Sequence, residues 1–201
     1  MSTGPYKLGL TGSIGMGKST LAGFFRNAGV PVWDADATVH ALYAPGGAGS
    51  AAVGALCPDC VGPQGVNRAA LAGWIAAAPG RLALLEKAIH PLVKAARLAF
   101  LHAHRHVPLV VLDIPLLFET GAEAECDGVL VVTAAPEVQR ARVLARPGMS
   151  EARLNALLAR QMPDAEKRAR ADFVIESKSL GQAHAEVEAL LSKLQPGAAH
   201  A

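Results

Sequence analysis

The sequence predicts an α/β fold in three layers, a five-stranded parallel sheet between helices, and three observations carry that prediction. Short apolar runs of strand length alternate along the chain with longer segments of helical periodicity. The first run leads into Gly12-Ser13-Ile14-Gly15-Met16-Gly17-Lys18-Ser19, a complete G-x-x-x-x-G-K-[ST] phosphate-binding loop. A long stretch with helical patterns and no convincing strand then interrupts the alternation. The 201 residues suffice for one domain with a sizeable core, or for one core plus an inserted lobe.

Each element follows from its residues. Lys7 to Thr11 reads as a buried strand entering the loop, and Leu21, Phe24 and Phe25 recur at helical spacing behind it, with Gly29 as the stop. Strand, loop and helix in this order define a P-loop nucleoside-triphosphate hydrolase-like fold. Val30 to Trp33 is the second strand, and Val107 to Leu112, a continuous apolar run typical of a central parallel strand, is the third and the strongest strand signal. Gly128 to Val132 and Phe173 to Ile175 complete the sheet. Pro45-Gly46-Gly47 and Pro63-Gln64-Gly65 punctuate the interrupting stretch, and helical runs follow from Asn67 to Ala78 and from Arg81. The expected organisation is a nucleotide-binding core of residues 1–43, 106–138 and 171–201, an inserted helical acceptor lobe at 44–105, and a lid at 139–170. In open α/β sheets ligands bind beyond the carboxyl ends of the strands, so such a lobe overhangs the phosphate loop. The tail from Gln195 to Ala201 is expected to be disordered.

The loop implies ATP and Mg²⁺. Gly12, Gly15, Met16 and Gly17 let the backbone wrap the phosphates, Lys18 reaches the β- and γ-oxygens, and Ser19 supplies a hydroxyl to the metal, with Thr20 opening the helix. Asp113 ends the third strand as a Walker-B-like acid that can orient Mg²⁺ through water. The segment from Gln139 to Arg170 carries Arg140, Arg142, Arg146, Arg153, Arg160, Lys167, Arg168 and Arg170 against only Glu151, Asp164 and Glu166. Most of these form a solvated basic face, but beside a triphosphate one or two can neutralise charge in the transition state. Arg146-Pro147-Gly148 marks a break between helices, the form of a closing lid. At the end of the second strand Asp34 and Asp36 share a face if extended geometry continues. Either can be the base for an acceptor hydroxyl, or the N-cap of the helix that follows.

Other classes fit less well. A formal net charge of +2 gives no argument for a nucleic-acid partner, and the longest apolar stretch is too short for a bilayer and is broken by Asp113. No signal segment opens the chain, so a cytoplasmic enzyme, monomeric or a small homo-oligomer, is expected. Cys57, Cys60 and Cys126 make no disulfide framework; Cys57-Pro58-Asp59-Cys60 lacks the second pair of a zinc site and the setting of a thioredoxin-like unit, and reads as a turn with two small residues. The guanine-reading N-K-x-D of GTPases is absent, and the chain is short for a motor ATPase. A small-molecule kinase fits best; a nucleotide-gated binding module is the alternative from another class.

Four motifs, in order along nearly the whole chain, resemble the dephospho-CoA kinase family: Leu10 to Thr20, Val32-Trp33-Asp34-Ala35-Asp36, Ile89-His90-Pro91-Leu92-Val93 and Ile114-Pro115-Leu116-Leu117-Phe118-Glu119. Gln161 and Ala171-Asp172-Phe173-Val174-Ile175 add to the match. The resemblance implies phosphorylation of the 3′-hydroxyl of dephospho-CoA by ATP, the last step of coenzyme A synthesis. It places the base on Asp36 and the phosphate-contacting lid arginine on Arg142, with Arg146 as a second candidate. It makes His90, Pro91, Leu116 and Glu119 acceptor-side residues; the residues alone allow His90 to be a helix C-terminus before a proline stop. Where the family often has Asn-Gly after the last strand, this chain has Ser177-Lys178-Ser179.

Overall fold

The computed structural model describes residues 4–194. The expected tail, Gln195 to Ala201, lies outside the described residues. In chain order the elements are β1 (Tyr6–Thr11), α1 (Lys18–Asn27), β2 (Val32–Asp34), α2 (Ala35–Leu42), α3 (Ala48–Leu56), a 3-10 turn (Pro58–Cys60), β3 (Val61–Gly62), β4 (Gly65–Val66), α4 (Arg68–Ala76) and α5 (Arg81–Ala103). They continue with β5 (Leu109–Asp113), a second 3-10 turn (Ala122–Glu125), β6 (Gly128–Thr133), α6 (Pro136–Leu144), α7 (Glu151–Leu158), α8 (Asp164–Ala169), β7 (Phe173–Glu176) and α9 (Leu180–Leu194).

Two compact units result: the chain up to Trp33 together with that from His104 onward, and the segment Asp34–Ala103. In the first, the sheet runs β2-β5-β1-β6-β7, with β1 parallel to both β5 and β6, and β6 parallel to β7. Chain order reverses direction on either side of β1, so the loop leaving β1 sits at the topological switch point where α/β sheets bind ligands. Leu8 and Leu10 point from β1 into one core layer with Leu21, Ala22 and Phe25 of α1 and with Ala183, Val187 and Leu190 of α9. The intervening Gly9 faces the other layer, where a β-carbon would lie 3.1 Å from Leu117 and 2.8 Å from the Cys126 sulfur. The period of two is therefore used on both faces, which is why the central strands read as continuous apolar runs. The segment expected as a lid, α6 to α8, belongs to this same unit.

The second unit starts at Asp34, ahead of the expected boundary at 44, because α2 packs on α3 and α5 of the lobe. Its core gathers Val53, Cys57, Cys60, Leu71, Leu85 and Ile89. Three expectations change here. The lobe holds a small antiparallel hairpin, β3 paired with β4, whose two-residue strands are too short to show a period. Cys57 and Cys60 are joined by a disulfide across the 3-10 turn, so the pair is a covalent staple within the lobe core rather than two small turn residues. Finally, α5 continues through Pro91 to Ala103, so His90 does not end a helix. Pro91 lies on the exposed side of that helix, where water can satisfy the carbonyl that loses its intrahelical donor.

Phe25 is fully buried between α1 and the sheet. Phe25→Ala should lower the unfolding free energy by about 3–5 kcal/mol, measured by urea titration followed by circular dichroism.

Candidate active site

The loop between β1 and α1 takes its shape from glycines placed where nothing larger fits. A β-carbon on Gly12 would lie 2.6 Å from the Val132 carbonyl oxygen of β6. Gly15, at φ +81, is covered by α6, with Val143 Cγ2 2.5 Å and the Gln139 carbonyl oxygen 3.0 Å from the same position. Gly17, at φ +100, is met by the Ser177 hydroxyl at 2.8 Å and by Arg142 at 3.7 Å. These positive φ values belong to the left-handed region that side chains disfavour. Met16 is buried, and its sulfur accepts the Ala134 N–H at 3.1 Å. The Thr20 N–H donates to the Gly17 carbonyl at 3.0 Å as the helix begins, and Ser19 is exposed in its first turn.

Lys18 is the first residue of α1, and its ammonium lies 2.5 Å from Oδ1 of Asp113. Asp113 is 2% exposed at the end of β5, in register with Leu10 of β1. The Lys18 ammonium is thus held in place by a buried carboxylate.

Two glutamines, one from α6 and one from beyond α7, fix the same loop residue. Gln139 Nε2 donates to the Ile14 carbonyl at 2.8 Å, and the Ile14 N–H donates to Gln161 Oε1 at 3.1 Å. Arg142, one helical position from Val143, donates to the Ser177 hydroxyl at 3.2 Å and to its carbonyl at 2.9 Å. The Ser177 N–H itself donates to the Thr133 carbonyl of β6 at 2.8 Å, which ties the end of β7 to the loop. Arg142 therefore stands beside Gly17, whereas Arg146 lies on the exposed connection between α6 and α7.

The segment Ile114 to Glu119 divides its side chains. Leu117 is fully buried against Gly9, and Leu116 is 39% exposed. Glu119, expected on the acceptor side, has Oε1 committed to two partners: the Lys167 ammonium at 2.7 Å and the Met162 N–H at 2.8 Å. Lys167 is fully buried in α8, and the same helix places Asp164 Oδ2 2.7 Å from the Thr133 hydroxyl. Burial pushes the Glu119 carboxyl up, but the Lys167 ammonium and the Met162 amide outweigh it and hold the group below the usual glutamate value.

In the second unit Asp34 caps α2, accepting the Ala37 N–H at 2.9 Å. The extended geometry that would put Asp34 and Asp36 on one strand face stops there, and Asp36 is an exposed residue of the first helical turn. His90 and Pro91 are exposed on α5.

Within the first unit the structure thus brings together Gly12 to Thr20, Asp113 and Arg142. Gln139, Ser177 and Lys167 are neighbours of these groups to which the sequence reading gave no individual task. Gln139 could have been noticed as the neutral residue three positions before Arg142 in a basic helix, whereas nothing local distinguishes Lys167 from the surrounding basic residues. Among the described residues no helix is long and apolar enough to cross a membrane.

A parallel sheet whose switch point carries a lysine-bearing phosphate loop, roofed by an arginine-bearing helical segment, defines a P-loop kinase. The dephospho-CoA kinase family matches residues 6–182, and the chain belongs to it. It is 58% identical over 191 residues to a dephospho-CoA kinase of Cereibacter sphaeroides, covering 95% of this chain and 96% of that one. It is 56% identical over 192 residues to a dephospho-CoA kinase of a Jannaschia species, covering 96% and 98%. A crystal structure of a Thermus thermophilus protein superposes with a TM-score of 0.84 at 37% identity, covering 95% of this chain and 98% of that one. ATP-dependent phosphorylation of dephospho-CoA, within coenzyme A biosynthesis, is the activity that goes with this membership.

The Glu119 pairing has a pH signature. A carboxyl depressed in the folded state stabilises the fold above its unfolded pKa, near 4.5, and that contribution is lost as pH falls from there through the folded value. Glu119→Gln should therefore make the decline of unfolding free energy over the acid side of about pH 4.5 shallower than in the parent, read from urea titrations at a series of pH values.

Proposed function

We propose that the chain transfers the γ-phosphoryl group of ATP to the ribose 3′-hydroxyl of dephospho-CoA, with Asp36 as base and Lys18 and Arg142 stabilising the group in flight. The observation that carries the assignment of the base is the commitment of Asp34 to the cap of α2, which leaves the Asp36 carboxylate exposed in the same turn. The 3′-oxygen attacks the γ-phosphorus and its proton passes to Asp36. The new O–P bond forms as the bond to the β,γ-bridging oxygen breaks, and ADP leaves with that electron pair. Because the transition state is loose, Asp36 acts chiefly by orienting the hydroxyl.

The remaining residues hold phosphate. Backbone N–H groups of the loop and the N-terminus of α1 face the β-phosphate, and Lys18 spans the β- and γ-oxygens. Arg142, already fixed by Ser177, supplies positive charge where it develops in the transition state without reorganising first. Ser19 and Asp113 offer hard oxygen donors of the kind Mg²⁺ prefers, few enough that the ion is held largely by the phosphates it accompanies. When bound, Mg²⁺ neutralises charge on the β- and γ-oxygens. His90, Pro91 and Leu116, all exposed apolar or polar surface, are the acceptor-side contacts in this reading, and Arg146 is a second phosphate contact. Glu119 is better assigned as a positioning residue, since its carboxylate already holds Lys167 and Met162. A cytoplasmic enzyme, monomeric or a small homo-oligomer, completes the proposal.

Asp36→Asn should lower kcat for CoA formation at least about tenfold while KM for ATP stays within about twofold, measured in a coupled ADP-release assay. Asp34→Asn keeps a capping side chain and should not reproduce that loss; the reverse pattern would reject Asp36 as base. Arg142→Ala should cost about a hundredfold or more in the single-turnover rate at saturating ATP.

A further inference from the structure

In the second unit one exposed arginine is held by an imidazole and an aromatic ring rather than by a carboxylate. Arg68, the first residue of α4, places its Nη2 3.2 Å from Nδ1 of His40 on α2, and its guanidinium lies 5.9 Å from the centroid of the Tyr43 ring. A guanidinium only donates, so Nδ1 of His40 is the acceptor and its Nε2 carries the proton. No carboxylate pairs with Arg68 among the described residues. Arg68 and His40 are both exposed. One of the five guanidinium N–H groups is used by His40, and the others, with the His40 Nε2–H, remain as donors toward solvent. A guanidinium steadied by an imidazole and an aromatic ring, with most of its N–H groups unspent, is preorganised for an external anion.

The position of the cluster says which anion. His40 follows Asp36 by four residues on α2, so the two side chains lie on one helix face about one turn, roughly 5.4 Å, apart. In dephospho-CoA the reacting 3′-oxygen and the first phosphorus of the 5′-diphosphate belong to the same nucleotide and are separated by five covalent bonds, a comparable reach. A hydroxyl presented to Asp36 therefore brings the diphosphate of the same molecule to the next turn of the helix.

We propose that Arg68 and His40 form the subsite for the diphosphate of the acceptor. This inference rests on the reading of Asp36 as the base that receives the acceptor hydroxyl. The planar guanidinium takes phosphate oxygens in a forked contact, and His40 both orients it and adds its own N–H. The subsite selects acceptors that carry a 5′-phosphate over bare nucleosides, and it does so with donors distinct from those of the phosphate loop.

The test uses the whole chain and two substitutions, Arg68→Met, which keeps the stem over Tyr43, and Arg68→Lys, which keeps the charge. Arg68→Met should raise KM for dephospho-CoA, and the dissociation constant of dephospho-CoA measured by calorimetry without ATP, by roughly ten- to a hundredfold, the loss expected of one charged contact to phosphate. KM for ATP should stay within about twofold, and Arg68→Lys should recover part of the loss. An unchanged affinity for dephospho-CoA, an equal rise in KM for ATP, or an equal loss in the Met and Lys variants would overturn the subsite. A fall in the thermal midpoint of Arg68→Met with affinity for dephospho-CoA intact would do the same, by making the cluster a packing contact between α2 and α4. If Asp36→Asn proves harmless while Arg68→Met behaves as expected, the subsite stands and the base is reassigned; a parent enzyme that forms no CoA from ATP and dephospho-CoA removes both.

Discussion

The close approach of the loop between β1 and α1 to its surroundings constrains everything around the phosphate site. Three glycines allow it, each against a different neighbour: Gly12 on the β6 backbone, Gly15 under α6, and Gly17 against Ser177. A single β-carbon at any of these positions would meet an atom at 2.5 to 2.8 Å. The loop is consequently clamped between the sheet, the roof helix and the end of β7. The Lys18–Asp113 ion pair extends the same constraint to the side chains, since Asp113 fixes the ammonium at the first residue of α1.

A second layer of contacts connects this clamp to the strand ends of the first unit. The short stretch from Gln161 to Lys167 reaches Ile14 through Gln161, Glu119 through Met162 and Lys167, and Thr133 through Asp164. Lys167 is fully buried, so its charge has to be matched, and Glu119 provides the match. Removing either partner leaves a charge without its counter-ion in a desolvated place, which couples the segment after β5 to the helices that roof the loop. Glu119 thereby holds Lys167 and the Met162 amide in place.

Much of the first unit was legible because its signals are local. Strand, loop and helix follow one another within Tyr6–Asn27, and the continuous apolar runs at β5 and β6 mark strands buried on both faces. The acceptor lobe was legible only in outline. Its hairpin has two residues per strand, its helix α5 ignores an internal proline, and the unit begins at Asp34, ten residues before the expected boundary. Each of these depends on packing between segments distant in sequence, which periodicity does not register. The choice between Asp34 and Asp36 shows the same division: their spacing left it open, and one capping hydrogen bond supports it.

By itself the sequence determined the ligand class and the fold core, because a glycine-rich loop ending in Lys18-Ser19 after a buried strand has few physical solutions other than a phosphate cradle. It also determined the family, through motifs spread over nearly the whole chain. Only the tertiary structure decided which polar side chains meet and which stay exposed. Glu119 and Lys167 read alike with their exposed neighbours until burial pairs them, and Ser177 has no evident task until β7 brings it to Gly17 and Arg142. Arg68 and His40 are 28 positions apart and meet only because the fold brings the first residue of α4 to the end of α2. The physical reason is common to all of them: a charge or hydrogen bond takes its meaning from its nearest partner and its access to water, and both are set by chain segments that the local sequence does not contain.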